Sequence, residues 1–222
     1  DWITIFFNYA EDISNEEMKE LWGKILAGEI KRPKSYSLRT LNILRNLSKE
    51  EAKVFLKFAA LSIKSGNTSF ILNFKDEKLL EEKYKLNFND RLLLEELGFL
   101  AANDLQFRIG KTTDNPRQTV FFLGDTCVIQ NKLENKPEQQ LQVLAFTRIG
   151  QELLNLVNVS PELDYIQLLA SKLDRKNGSV KYGKVLEFLP NGQFRHSSLM
   201  DVPLTKEEQK KSEEQKDNKN KK

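Results

Sequence analysis

His196, Ser197, Ser198 and Asp201 are the residues whose types come nearest to a hydrolytic set. A nucleophilic serine needs a base within hydrogen-bond reach and an acid that orients the base. Near neighbours in one polar segment rarely achieve that geometry, so His196 reads as a solvated surface histidine. Gly110-Lys111-Thr112 has the ending of a phosphate-binding loop. That motif needs a glycine five residues earlier, where Leu105 stands, and a helix directly after, where Asp114-Asn115-Pro116 follows. A flexible loop is the better reading. Cys127 lies in an apolar run with no basic neighbour and reads as a buried structural thiol rather than a nucleophile. With one histidine and one cysteine, metal sites built from several such ligands are excluded. No spaced acidic loop of the EF-hand kind is present. The acid-rich stretches (Glu16, Glu17 and Glu20; Glu50 and Glu51; Glu81 and Glu82) lie in first helical turns or on solvent faces, where helix electrostatics favours them. The residues therefore point to a non-enzymatic protein without cofactor or metal.

Binding chemistry is better represented. Lys31, Arg32, Lys34, Arg39 and Arg45 form one basic concentration, and Arg108, Lys111 and Arg117 flank a polar loop. Both could meet phosphates. By contrast, Asn89 to Leu97 offers Arg91 against Asp90, Glu95 and Glu96, a poor helix for a phosphate-lined groove. The net charge of +3, from 35 basic and 32 acidic residues, does not by itself imply nucleic acid.

The elements that must position these residues follow from periodicity and punctuation. The chain has 222 residues, 39% hydrophobic and 30% charged, with 14 phenylalanines. That is enough apolar material for a core and too much for wholesale disorder. No apolar run reaches the length of a membrane span. The single cysteine suits a reducing, cytoplasmic setting. The opening Asp1-Trp2-Ile3, in place of Met, suggests a fragment of a longer protein.

Residues 1–10 carry Trp2, Ile3, Ile5, Phe6, Phe7 and Tyr9 and need cover. Ser14 to Glu17 reads as a capping box for a helix whose stripe is Met18, Leu21, Trp22, Ile25 and Leu26, ending at Gly28. Met18, Leu21, Trp22 and Ile25 are expected to pack on Leu38, Leu41 and Leu44 of a second helix over 37–47, which also turns Leu47 inward. Ser48 to Glu51 is another capping box, opening a helix over 49–65 with Ala52, Phe55, Leu56 and Ala59 inward and Gly66-Asn67 as its stop. Phe70 to Phe74 reads as a strand. Short helices follow at 76–84 and 89–97, the second closed by Gly98. Leu105 to Ile109 and Thr119 to Leu123 read as the arms of a hairpin with a long polar tip. Strands at 127–129 and 141–146 and a helix at 149–157 come next. Ser160-Pro161-Glu162 signals a helix start. Pro190-Asn191-Gly192 signals a hairpin after a strand over 179–189. From Thr205 the composition collapses to charged and polar residues, with one capping box at 205–208.

The middle of the chain resembles a winged helix. Leu93-Leu94-Glu95-Glu96-Leu97-Gly98-Phe99-Leu100 is similar to a third helix turning into a wing strand, and Phe146-Thr147-Arg148-Ile149-Gly150-Gln151-Glu152-Leu153-Leu154 to the strand-to-helix exit after a wing. Physically, Thr147 would cap that exit helix and Gly150 would let it lie close. The first half, through Glu20-Leu21-Trp22-Gly23-Lys24-Ile25-Leu26-Ala27-Gly28-Glu29-Ile30, Ser37-Leu38-Arg39-Thr40-Leu41 and Leu47-Ser48-Lys49-Glu50-Glu51-Ala52, resembles an uncharacterised bacterial family, domain of unknown function 2806. The resemblance covers most of residues 1 to about 195. It implies occurrence in bacterial and prophage genomes, often with more chain upstream, and carries no activity. Lys34 stands where the resemblance leads one to expect glycine.

The resulting expectation is an α+β chain: an N-terminal helical lobe (1–47), a winged-helix-like domain with a β-hairpin wing (48–158), a C-terminal helix and small hairpin (159–204), and a disordered charged tail (205–222). Its expected function is protein interaction or assembly, through a protein partner or self-association. The alternative is nucleic-acid binding through Arg108, Lys111, Arg117, Lys31, Arg32, Arg39 and Arg45.

Overall fold

The computed structural model describes residues 1–11, 16–75, 77–109, 118–132, 139–173, 175, 178–205 and 208–210. The chain is α+β and forms two compact units, each discontinuous in sequence. One comprises Asp1–Ala60, Asn73–Asp104 and Leu144–Asn158; the other comprises Leu61–Leu72, Leu105–Val143 and Val159–Lys222.

The first unit is mainly helical: α1 (Trp2–Glu11), α2 (Glu16–Lys31), α3 (Leu38–Asn46), α4 (Lys49–Ala59), a π-helical turn (Leu79–Lys83), α5 (Phe88–Glu96) and α6 (Arg148–Leu154). The aromatic opening segment finds its cover here. Trp22 of α2 is 2% exposed and packs against Phe6 and Tyr9 of α1, at ring distances of 5.0 and 6.3 Å. Ile25, Leu41 and Leu44 are buried with it, while Leu38 is 43% exposed. The box at Ser14 lies outside the described residues. The Ser48 box forms in full: its side chain accepts from the Glu51 N–H, and Glu51 accepts from the Ser48 N–H. Inside α4 the buried face is Phe55, Phe58 and Ala59, with Leu56 turned out. Thr147 caps α6, its hydroxyl accepting from the Gly150 N–H at 3.2 Å. A Cβ on Gly150 would sit 2.2 Å from the Phe99 carbonyl oxygen, so only glycine lets α6 approach the Leu100–Phe146 bridge so closely.

Gly28 does not end its helix. α2 runs on to Lys31, and the missing Cβ makes room for the Tyr36 ring, which a Cβ would meet at 2.9 Å. The left-handed turn comes later, at Lys34, with φ of 71°. The helix expected over 49–65 ends at Ala59, because Ile63–Ser65 is a strand and Gly66-Asn67 is a hairpin turn rather than a stop.

Among the described residues, the second unit holds a nine-stranded sheet and the helix α7 (Leu163–Ser171). Its strands are β1 (Ile63–Ser65), β2 (Thr68–Leu72), β3 (Leu105–Ile109), β4 (Gln118–Leu123), β5 (Thr126–Lys132), β6 (Gln139–Ala145), β7 (Gly178–Phe188), β8 (Phe194–His196) and β9 (Met200–Asp201). The order is β3-β6-β2-β1-β4-β5-β7-β8, with β9 on β7. This corrects the wing. β3 and β4 are not partners: β3 pairs with β6, and β4 pairs with β5 and β1. Gly124-Asp125 closes β4 onto β5 through a two-residue turn, which costs less loop entropy than the long polar connection from β3. Gly124, at φ of +56°, packs so tightly on Val159 that a Cβ would lie 1.8 Å from its carbonyl oxygen.

α7 starts at Leu163 with Glu162 as N-cap, two residues beyond the serine expected to cap it. Its buried Tyr165 donates to the Leu61 carbonyl oxygen at 2.8 Å, and burial pushes the phenol well above its ordinary range. The hairpin at Gly192 forms as expected, joining β7 to β8. The charged tail falls mostly on residues outside the described ones. The box at its start is ordered: Thr205 and Glu208 exchange side-chain to backbone hydrogen bonds, and Glu208 meets Arg175 at 3.6 Å. Arg175 in turn donates to the carbonyl oxygens of Ala170 and Val202.

Candidate interaction surfaces

Two helices of the helical unit, α3 and α5, present contrasting surfaces. α5 is capped by Asn87, whose side chain accepts from the Asp90 N–H at 2.9 Å. One face is anchored by Leu94, fully buried. The polar side chains around it are consumed internally. Arg91 donates to Glu95 at 2.6 Å and to Asp104 at 2.8 Å. Asp90 is held by Lys57 and by the Asn87 amide. Lys57 also donates to the Lys85 carbonyl oxygen. What α5 leaves outward is Phe88, 62% exposed, and Leu92, 45% exposed, one turn apart on the same face, with Asn89 and Glu96 beside them.

α3 is the opposite case. Its N-terminus is closed twice. Ser37 caps it in the ordinary way, accepting from the Thr40 N–H. Glu152 of α6 reaches in as well, accepting from the Ser37 N–H at 2.7 Å and the Thr40 hydroxyl at 2.6 Å, while its other oxygen accepts from Arg148 at 2.8 Å. Burial alone would push this carboxyl up. The hydrogen bonds from Ser37, Thr40 and Arg148 outweigh burial and hold it below the usual carboxylate range.

The approach to α3 is fixed by a second carboxylate. Glu29 accepts from the N–H groups of Lys34 (2.5 Å) and Tyr36 (3.1 Å), and the Trp2 indole donates to the Tyr36 carbonyl oxygen at 2.8 Å. Tyr36 is buried, and desolvation, with Glu152 and Glu29 nearby, raises its phenol. Glu29 and Glu152 are thus spent on backbone, hydroxyl and guanidinium donors. From Ile30 to Lys49 the chain contains no Asp or Glu, yet Lys31, Arg32, Lys34, Arg39, Arg45 and Lys49 are all exposed. On α3 itself the outward residues are Leu38, Arg39, Asn42, Arg45 and Asn46. Arg45 lies over the Tyr9 ring at 4.9 Å, and the Asn46 amide donates to the Asn42 carbonyl oxygen.

The basic residues named from sequence fall in both units. Lys31, Arg32, Arg39 and Arg45 belong to the helical unit, and Arg108 sits exposed on β3 of the sheet unit. Lys111 and Arg117, with the Gly110-Lys111-Thr112 tripeptide, lie outside the described residues. His196 is exposed, its Nδ1 2.8 Å from the Ser197 carbonyl oxygen, and Asp201 lies by Lys181 at 3.9 Å instead. Cys127 is buried, its thiol directed at the Gly183 carbonyl oxygen at 3.4 Å and pushed up by desolvation. Among the described residues no group of His, Cys, Asp and Glu is arranged to hold a metal ion, and no helix is long and apolar enough to cross a membrane.

A family model described as a protein of unknown function, DUF2806, matches residues 1–170. The chain belongs to the DUF2806 family. No curated protein and no solved structure matches it. The DUF2806 match takes in the whole helical unit and stops short of β7, β8 and β9, so α3, α5 and α6 all belong to the family's portion. Within that portion, sequence reasoning assigned no role to Glu152, which holds Ser37 and Thr40, and did not place Phe88 on an exposed face. A signal for Glu152 was available: it falls three residues after Ile149, on the inward stripe of its helix. An acid on an apolar stripe marks a carboxylate with dedicated donors. For Phe88 the signal was the Asn87 N-cap, which sets the helix phase and puts Phe88 and Leu92 on a face away from Leu94.

Proposed function

We propose that this DUF2806 chain is a non-enzymatic protein-interaction module whose docking element is α5. In this reading α4, the π-helical turn, α5, the Leu100–Phe146 bridge and α6 form a winged-helix-like scaffold, with the third helix turned to protein recognition. The observation that carries it is the surface of α5. Its only arginine is bound by Glu95 and Asp104, and Phe88 and Leu92 face solvent at 62% and 45% exposure. Exposed aromatic and aliphatic anchors one turn apart suit an apolar groove or helix on a partner. Glu96 beside them favours a partner with a basic rim.

The test is a double variant, Phe88→Ser with Leu92→Ser. Neither side chain is buried, so melting should stay within about 1 kcal/mol of the parent. A photo-crosslinker placed at Asn89 in the full chain should give a discrete protein adduct, either to a second copy or to one partner, and the double variant should lose it. A folded double variant that keeps the same adduct rejects α5 as the docking element.

A further inference from the structure

We infer that the outward face of α3, with the segment leading into it, is a nucleic-acid duplex-binding surface, separate from the α5 face. Three observations support this. First, the stretch from Ile30 to Lys49 is free of acids and exposes Lys31, Arg32, Lys34, Arg39, Arg45 and Lys49. Second, two carboxylates that contact this segment, Glu29 and Glu152, are occupied by Lys34, Tyr36, Ser37, Thr40 and Arg148. They do not pair with the exposed side chains of Lys31, Arg32, Lys34 or Arg39. Third, the exposed polar residues of α3 are Arg39, Asn42, Arg45 and Asn46, the residue types that contact phosphates and base edges.

The scale fits. A nine-residue helix is about 13 Å long, comparable to the roughly 12 Å width of a duplex major groove. Anchoring is also present: Glu152 pins the helix N-terminus, Ser37 caps it, and Leu41 and Leu44 are buried behind it. In this arrangement Arg39 and Asn42 enter the groove while Lys31, Arg32 and Lys34 meet the backbone phosphates alongside.

An anionic membrane surface offers the same charge but needs more from the helix. An interfacial helix buries a continuous apolar face in the headgroup region, and this surface offers only two separate apolar side chains, Ile30 at 74% and Leu38 at 43% exposure. The nucleic-acid duplex is therefore the partner the surface fits. Sequence discrimination by so short a helix should be modest, and the affinity should come mostly from counterion release.

The experiment uses the full chain and a fluorescently labelled DNA duplex of about two helical turns, titrated by anisotropy at about 50 mM and about 200 mM salt. The parent should bind at low salt and lose about tenfold or more at the higher salt. A triple variant, Arg32→Ala with Lys34→Ala and Arg39→Ala, should bind at least about tenfold more weakly at low salt. Its log affinity should fall with log salt less steeply, by about 2 to 3 in slope. Arg39→Glu alone should reproduce most of the loss, which guards against a fold defect in the triple variant; circular dichroism checks both. Arg108→Ala, on the sheet unit, and the Phe88→Ser/Leu92→Ser pair should bind as the parent does, so failure of the α5 reading leaves this one intact. Phosphatidylserine vesicles serve as the second probe. Absence of duplex binding at low salt, equal binding by parent and folded triple variant, or binding to vesicles and not to duplex would each overturn the inference.

Discussion

α3 and α5 are both nine-residue helices of the same unit, each with a side-chain N-cap and one buried face. They present opposite chemistry to solvent. α5 spends its arginine and Asp90 on Glu95, Asp104, Lys57 and Asn87, and is left with Phe88 and Leu92 outward. Beside α3, Glu29 and Glu152 are the spent groups, taken up by backbone, hydroxyl and Arg148 donors, and Lys31, Arg32, Lys34 and Arg39 are exposed. Counting charges along the chain misses this, because a carboxylate that closes a helix N-terminus no longer screens the lysine next to it in sequence. Which charges are consumed internally decides what a surface offers.

The comparison breaks if α3 loses its support, and the largest effect should come from Trp22. It is 2% exposed and packs on Phe6 and Tyr9 of α1. α1 in turn packs on α3, where Arg45 covers Tyr9. Trp22→Ala should cost about 3–5 kcal/mol. The check is chemical denaturation followed by circular dichroism; an unchanged midpoint rejects the packing described for these three helices.

Glu152 comes next. Glu152→Gln keeps the shape but replaces an anion that accepts three bonds with an amide that must also place two donors. A cost of about 1–3 kcal/mol at neutral pH follows. The pH dependence gives a second reading. The folded state holds this carboxyl below its ordinary range, so its contribution is fully present above the unfolded-state pKa. It is lost as pH falls through the lower folded-state value. The gap between parent and variant should therefore be constant near neutrality and shrink on acidification. A gap that widens in acid would contradict the sign of the interaction.

Several local signals were matched by structure, although Gly28, Gly66-Asn67 and Ser160 did not act as the sequence suggested, and the pairing of β3 was not legible at all. The Ser48 box, the Thr147 cap with Gly150, the Gly98 end and the Gly192 hairpin each depend on residues within a few positions of one another, and each forms. The wing failed for a different reason. β3 and β4 are both well-patterned strands adjacent in sequence, and nothing local says that β3 pairs with β6 instead. The helix assigned to 49–65 overran because Ile63-Lys64-Ser65 belongs to a hairpin whose partner strand supplies its hydrogen bonds. The same distinction governs the surfaces. Arg39 and Arg45 were legible as part of a basic concentration, but the contact that fixes α3 joins Ser37 to a residue 115 positions away.

The smallest expected effect sharpens the comparison most finely. Lys34 has φ of 71°, a left-handed conformation in which its Cβ crowds the backbone. The turn survives because Glu29 holds the Lys34 and Tyr36 N–H groups. Glycine would adopt this conformation without the steric penalty, at the cost of a more disordered unfolded chain. These terms oppose, and the net should be a stabilisation of about 0.5–1 kcal/mol for Lys34→Gly, read as a small rise in melting temperature. The same change deletes one exposed cation from the approach to α3. If that segment meets phosphates, the variant should be slightly more stable and bind duplex DNA a few-fold more weakly at low salt. Lys34→Ala separates the two effects, since it removes the charge while keeping the strained backbone: it should bind as weakly as the glycine variant but melt no higher than the parent. Gains in stability without loss of binding would leave Lys34 as a turn residue only and confine the basic surface to α3 and its remaining cations.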